Sequence, residues 1–165
     1  RAISAYVQVF QGTPLLMQLF LAYFGIALFG IKTSPWTAAA FALTLYTSAY
    51  LTEIWRGCVA SIPKGQWEAS ASLALSFGEQ MRHVVLPQAW RRVIPALMND
   101  LVSLQKDSGL IAVLGVYDAI RRAQIETSLD FNYTPYVVAS ILFLIVTIPL
   151  TRLSAWLERR MARTR

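Results

Sequence analysis

Apolar residues along this chain gather in long blocks, and one polar, basic island interrupts them at 63–99, PKGQWEASASLALSFGEQMRHVVLPQAWRRVIPALMN. A bilayer crossing needs about 20 mainly apolar residues, and four blocks meet that length. They are 14–31, 36–55 with Glu53 near its end, 93–116 interrupted by Asn99, Asp100, Lys106 and Asp107, and 133–153 with Pro149 near its exit. The pattern predicts an all-α, polytopic transmembrane bundle folded as a single domain over 1–165. There is no internal repeat and no low-complexity segment.

The island carries local helix signals. Pro63 has a pre-set φ suited to a first helical turn. Trp67, Ala71 and Ala74 recur at i, i+4 and i+7, and Ala69, Ser70, Ala71, Ser72 and Ala74 keep the helix thin. Ser76 and Glu79 have capping-box spacing and mark a second start. Met81, Val84 and Val85 share one face, and Pro87 is expected to end this second helix. Two short helices joined at a bend would form a compact knob over about 61–92. From periodicity alone, an amphipathic segment resting on lipid headgroups is the more economical reading.

Composition agrees with a membrane setting. Hydrophobic residues make up 56% of the chain and charged residues only 15%, below the usual quarter. The net charge of +6 does not point to nucleic acid, because the cations flank apolar blocks. Four alternating spans place Arg1, Arg56, Lys64, Arg82, Arg91, Arg92, Arg152, Arg159, Arg160, Arg163 and Arg165 on one side. Lys32, Arg121 and Arg122 fall on the other. The positive-inside rule then assigns both ends and the island to the cytoplasm. The single Cys58 excludes an internal disulfide. The chain starts at Arg1 and carries no recognisable signal peptide, so it reads as a fragment.

Several chemistries are missing. No G-x-x-x-x-G-K-[ST] loop is present, so ATP binding by this chain is not expected. One His and one Cys cannot build a metal cluster, and Glu79 with His83 is a surface pair. No catalytic residues are assigned. Ionisable groups inside spans are expensive in hydrocarbon and mark function, which makes Asn99, Asp100, Lys106 and Asp107 the pathway candidates. Lys106 and Asp107 point about 100° apart on a helix, so they need not pair. Either Asp107 lines a path, or both residues cap a broken helix ahead of Gly109. Asn99 has a structural alternative, satisfying backbone at a break after Pro95. Glu53 is placed to pair with Arg56 at i+3. Two rival classes stand beside a transporter. One is a membrane-embedded enzyme using Asp100 and Asp107, and the other is a structural subunit that forms no path.

The island resembles the EAA loop of ABC importer permeases, within the polar amino-acid uptake family. EASASLA at 68–74 stands for the family's Glu-Ala-Ala-x-x-x-Gly core, with Ser70 for the second Ala and Ala74 for the Gly. The flanks match too: GTPLLMQLF at 12–20, AYLTEIWRG at 49–57, IPKGQWE at 62–68, LPQA at 86–89 and KDSGL at 106–110. The resemblance covers nearly the whole chain and implies the type I permease fold in a bacterial inner membrane. It implies an additional span before the first one here. It also implies polar amino acids as cargo and a second permease subunit, identical or homologous. Separate ATPase subunits carrying ATP and Mg, and an extracytoplasmic solute-binding protein, complete the implied assembly. No cofactor is expected on this chain. ATPase coupling falls on Gly65, Glu68, Ala69, Ser70, Leu73 and Ala74, with Glu68 as the charged contact. A glycine-type bend at Ala74 is the point where the pattern departs from the family.

Overall fold

A computed structural model describes residues 2–162, so Arg1, Arg163 and Arg165 of the charge count lie outside the described residues. The first apolar block is preceded by a helix that its hydropathy did not mark. Helix α1 (Ala2–Gly12) runs up to Pro14, and α2 (Leu15–Phe20) continues into a π-helical turn at Leu21–Gly25. Pro14 has no N–H to give the Phe10 carbonyl four residues back. The buried Gln18 side chain supplies one instead. Its Nε2 donates to the Phe10 carbonyl at 2.8 Å and to the Thr13 carbonyl and hydroxyl at 3.1 and 2.8 Å. The break at Pro14 is therefore sealed from inside.

Helix α3 (Pro35–Ala60) starts at Ser34, whose hydroxyl accepts the Thr37 N–H at 3.1 Å, with Pro35 in the first turn. Its 26 residues extend for about 39 Å. Trp36 and Trp55 lie 19 positions apart, close to the ~30 Å of a hydrocarbon core. The Tyr6 hydroxyl donates to the Leu45 carbonyl at 2.7 Å, laying α1 along α3. In the core, Leu15, Leu19 and Ala22 meet Ala38, Ala39 and Ala42 of α3, and Ile111, Leu114 and Val116 close the cluster. The buried side chains of α3 are alanines, so neighbouring backbones approach closely there.

In the island, α4 (Lys64–Ser72) begins one residue after Pro63, which occupies the cap position. It stops at a Schellman turn. The Ala74 N–H bonds the Ala71 carbonyl at 2.9 Å and the Leu75 N–H bonds the Ser70 carbonyl at 3.3 Å. Ala74 takes φ +57°, so the bend usually built on glycine is kept with alanine in the left-handed region. The expected apolar face is wrong. Ser70 is the buried residue, Trp67 is half-buried, and Ala71 and Ala74 face outward. The Ser76–Glu79 capping box opens α5 (Phe77–Gln80) as expected, with the Ser76 N–H donating to Glu79 Oε2 at 2.9 Å. The Ser76 hydroxyl and N–H hold the exposed Glu79 carboxyl below its ordinary range. The box therefore acts above the usual carboxylate pKa and is lost as pH falls through the lowered value.

Pro87 does not end this helix. From α5 the chain passes through a π turn at Met81–Val85 directly into α6 (Leu86–Asp107), the Leu86 N–H reaching back to the Met81 carbonyl. The wider turn lies just ahead of a proline that would crowd the preceding turn of an α-helix. The second helix of the knob and the third span are thus one continuous rod. The third span also departs from expectation at its far end. It is α-helical only to Asp107, then 3-10 helical over Ser108–Leu114, and Gly115 turns it at φ +80°. Gly109 permits this seat, since a Cβ there would lie 2.5 Å from Ile120 Cδ1 and 3.2 Å from Phe143 Cζ. Helix α7 (Ala119–Asp130) is capped by Asp118, and α8 (Thr134–Ala162) returns along α6 and α7.

Among the described residues no strand occurs. Of the four expected spans, one is long and apolar enough by itself to cross a membrane, Thr134–Met161 with hydropathy 2.0 over its best window. The first block is a shorter apolar helix, Leu15–Gly25. The second and third blocks carry hydroxyls, tyrosines and charges that lower their hydropathy.

Two measurements check this account. Gln18→Leu orphans the Phe10 carbonyl and should lower unfolding stability by roughly 1–3 kcal/mol. Pro14→Ala restores the missing N–H, so the double variant should recover much of that loss in a melting-temperature cycle. Equal losses with and without Pro14 would deny the seal. At Ala74, Gly should raise stability by about 1 kcal/mol, because the left-handed strain disappears.

Candidate functional site

Three of the four pathway candidates converge. Asp100 and Asp107 are seven residues apart on α6, which returns them to one face about 10 Å apart along the axis. With Ser103, Leu104 and Lys106 they face Tyr46, Thr47 and Tyr50 of α3 across a cavity of about 280 Å³. Tyr46 and Tyr50, at i and i+4, pack with tilted rings whose centroids are 4.7 Å apart. The wall opposite the charges is therefore aromatic and hydroxylated. Lys106 and Asp107 form no ion pair with each other. The capping alternative does not hold for Asp107, whose carboxylate accepts no hydrogen bond from the 3-10 helix it precedes; Lys106 lies in the last turn of α6.

Asn99 is excluded from this cavity. Its Nδ2 donates to Glu158 Oε1 at 2.9 Å, and its Oδ1 accepts the Ser154 hydroxyl at 2.7 Å. It clamps α6 to α8 and does not repair backbone after Pro95. Thr147 Oγ1 donates to Gln105 Oε1 at 2.7 Å farther along the same seam. Helix α6 thus has two polar faces, one locked to α8 and one open towards α3. The sequence reading missed Tyr46, Thr47, Tyr50 and Ser103. The hydroxylated i, i+1, i+4 pattern of the α3 residues, inside an otherwise apolar block, was the available signal.

The knob presents a second surface. Gly65, Glu68, Ala69, Leu73 and Ala74 are exposed, with Leu73 at 75%. Phe77, 71% exposed, stands beside them with its ring 6.3 Å from that of Trp67. Ser70 does not belong to this surface. It is 3% exposed, its hydroxyl donating to the Trp67 carbonyl at 2.8 Å. A small residue is needed there because the knob closes on its own chain. The knob is braced from behind, Gln88 Nε2 donating to Gln66 Oε1 at 3.1 Å and Arg92 Nη1 to the Ser61 carbonyl at 2.6 Å. Arg92 is thus a tether of the α3–α4 turn as well as a charge. The expected Glu53–Arg56 pair forms, the guanidinium gripping the carboxylate through Nε at 2.8 Å and through Nη2.

Comparison with known proteins places these surfaces in context. The family described as binding-protein-dependent transport system inner membrane component matches residues 1–163. The arginine transport system permease protein ArtQ of Bacillus subtilis is 37% identical over 158 residues, covering 94% of this chain and 72% of that protein. The L-cystine transport system permease protein TcyB of the same organism is 36% identical over 162 residues, covering 97% and 69%. Among solved structures, the crystal structure of an amino acid ABC transporter with histidines superposes at a TM-score of 0.91 with 37% identity, covering 95% of this chain and 74% of that one. An inward-facing MetNI methionine ABC transporter shares the fold at TM-score 0.76 and 22% identity, over 96% of this chain and 73% of that one. With the family match running almost end to end and ArtQ and TcyB more than a third identical over most of their length, the chain belongs to the binding-protein-dependent transport system inner membrane components.

Proposed function

We propose that this chain is the permease subunit of an ATP-driven importer of polar amino acids and contributes the α3–α6 cavity to the translocation path. The observation that carries the reading is the juxtaposition of Asp100, Lys106 and Asp107 with Tyr46 and Tyr50 around one cavity. A free amino acid is a zwitterion. Carboxylates on α6 match its ammonium, Lys106 matches its carboxylate, and the hydroxylated wall offers hydrogen bonds to a polar side chain. Charges kept at this depth require such a guest, or water, to compensate them.

The knob couples this path to a separate ATPase subunit that holds ATP and Mg. Leu73 and Phe77 supply exposed apolar anchors, Ala69 and Ala74 allow close approach, and Glu68 sets the register. Because α5, the π turn and α6 are continuous, a push on the knob is carried along the helix that bears Asp100 and Asp107. A second permease subunit completes the path, and an extracytoplasmic solute-binding protein delivers cargo. The knob and the end of α8 lie on the cytoplasmic side, following the distribution of Lys and Arg.

The two surfaces separate in one experiment on the assembled complex in proteoliposomes. Asp107→Ala should cut uptake roughly tenfold or more while the ATPase still co-purifies, as expected from losing a charged contact worth ~1.5–3 kcal/mol. Glu68→Arg should instead weaken ATPase association by about tenfold or more, through like-charge contact at the interface. Wild-type uptake by the first variant would remove the cavity from the path, and wild-type coupling by the second would remove the knob from the interface.

Topology is tested by thiol labelling in intact cells after Cys58→Ser. Lys64→Cys should resist a membrane-impermeant reagent, and Lys32→Cys should react. The reverse pattern would invert the assignment.

A further inference from the structure

A recess that the transport reading does not use lies where α3 leaves the hydrocarbon. It has a volume of about 490 Å³ and is lined by Trp55, Arg56, Val59, Ala60, Ile62, Lys64 and Trp67. Most of this wall is carbon, and two cations stand on it. Arg56 holds Glu53 through Nε and Nη2, which leaves Nη1 without a partner among the described residues. The Lys64 ammonium makes no ion pair or hydrogen bond among the described residues. The recess is also held in shape. Trp55 packs on Trp90 of α6 with ring centroids 5.5 Å apart, Trp67 packs on Phe77, and Arg92 fixes the Ser61 turn beneath. Ile62, at 3% exposure, forms a buried floor.

We propose that this recess binds one anionic phospholipid of the cytoplasmic leaflet, its phosphate between Arg56 and Lys64 and its glycerol and first methylenes against Trp55, Val59, Ile62 and Trp67. Three features select this occupant. The depth is right: α3 outlasts a ~30 Å hydrocarbon core by several residues, so residues from Trp55 onward lie among headgroups, where tryptophans are favoured. The chemistry is amphipathic, as the ligand must be. Free phosphate gains nothing from a wall of tryptophan, valine and isoleucine, and a zwitterionic lipid, whose own ammonium offsets its phosphate, gains less from an unpaired ammonium than an anionic one. The local charge is positive, with Arg91 and Arg92 on the same side, which concentrates anionic lipid near the surface. A lipid seated between α3 and α4 would hold the knob at a fixed angle to the membrane. The proposal rests on the cytoplasmic placement of α4.

The test counts lipids on the assembled permease–ATPase complex by native mass spectrometry, after exchange into micelles carrying phosphatidylglycerol or phosphatidylcholine. The wild-type complex should retain phosphatidylglycerol in preference to phosphatidylcholine. Lys64→Gln should lower that retention about fivefold, the effect of one cation at a lipid surface, and Lys64→Glu should lower it further. Val59→Asp, which spoils the apolar wall and leaves both cations, should also lower it. Each variant is accepted only with a wild-type melting temperature. Equal retention of the two lipids, or unchanged phosphatidylglycerol retention in Lys64→Glu, would overturn the proposal. So would displacement of the lipid by excess inorganic phosphate, which would make the recess a simple anion site. Loss of the ATPase without loss of lipid in Lys64→Gln would overturn it too, assigning Lys64 to the protein contact. Lipid counting requires no uptake, so this proposal and the transport reading fail separately.

Discussion

A helix interrupted inside hydrocarbon must satisfy its backbone from within, because hydrocarbon offers no water to a freed carbonyl. Pro14 shows the rule most directly. The carbonyl it strands at Phe10 is met by Gln18, a buried amide one turn past the proline that also holds Thr13. Pro87, which lies in the knob, does not break its helix: the helix widens into a π turn and continues. Beyond Asp107 it narrows into a 3-10 helix and never leaves the fold. These repairs let the chain carry bends and polar side chains in places where an open backbone would be prohibitive.

The same rule explains how α6 serves two masters. Asn99 and Gln105 bond to Ser154, Glu158 and Thr147, so one face is locked to the most lipid-like helix of the chain. With that face held, Asp100, Ser103, Lys106 and Asp107 stand on the other side around the cavity with α3. Polar groups on both faces lower the helix's hydropathy below that of an independent span, and the clamp to α8 compensates. A helix that holds one neighbour through hydrogen bonds and leaves a gap to another is suited to a path that opens and closes.

Continuity from Phe77 to Asp107 links the two surfaces mechanically. A loop between knob and span would absorb displacement in backbone torsions, whereas a helix transmits it. The π turn at Met81–Val85 is the one irregular turn in that rod, and the Schellman bend at Ala74 joins α4 to its end. The strain at Ala74, the bracing by Gln88 and Arg92, and the burial of Ser70 keep α4 pressed against the rod. Glu68, Ala69 and Leu73 stay exposed.

The sequence by itself determined the helical class, the capping box at Ser76 and Glu79 and the Glu53–Arg56 pair. Each of these depends on neighbours three or four positions apart, which helical geometry brings together in any context. The motif strings likewise placed the chain among importer permeases before any coordinates. Tertiary structure decided what local spacing cannot. Pro87 reads as a terminator, because nothing nearby in sequence announces that a π turn will absorb it. Asn99 and Asp100 are adjacent and equally polar, yet the helix turns one to Glu158 and the other to Tyr46 and Tyr50. Ser70 and Ala69 are adjacent and equally small, yet one closes on its own chain and the other faces out. Which side of a helix meets a neighbour is set by packing between segments 40 to 60 residues apart, as in the bonds of α6 to α8, and no local pattern records it.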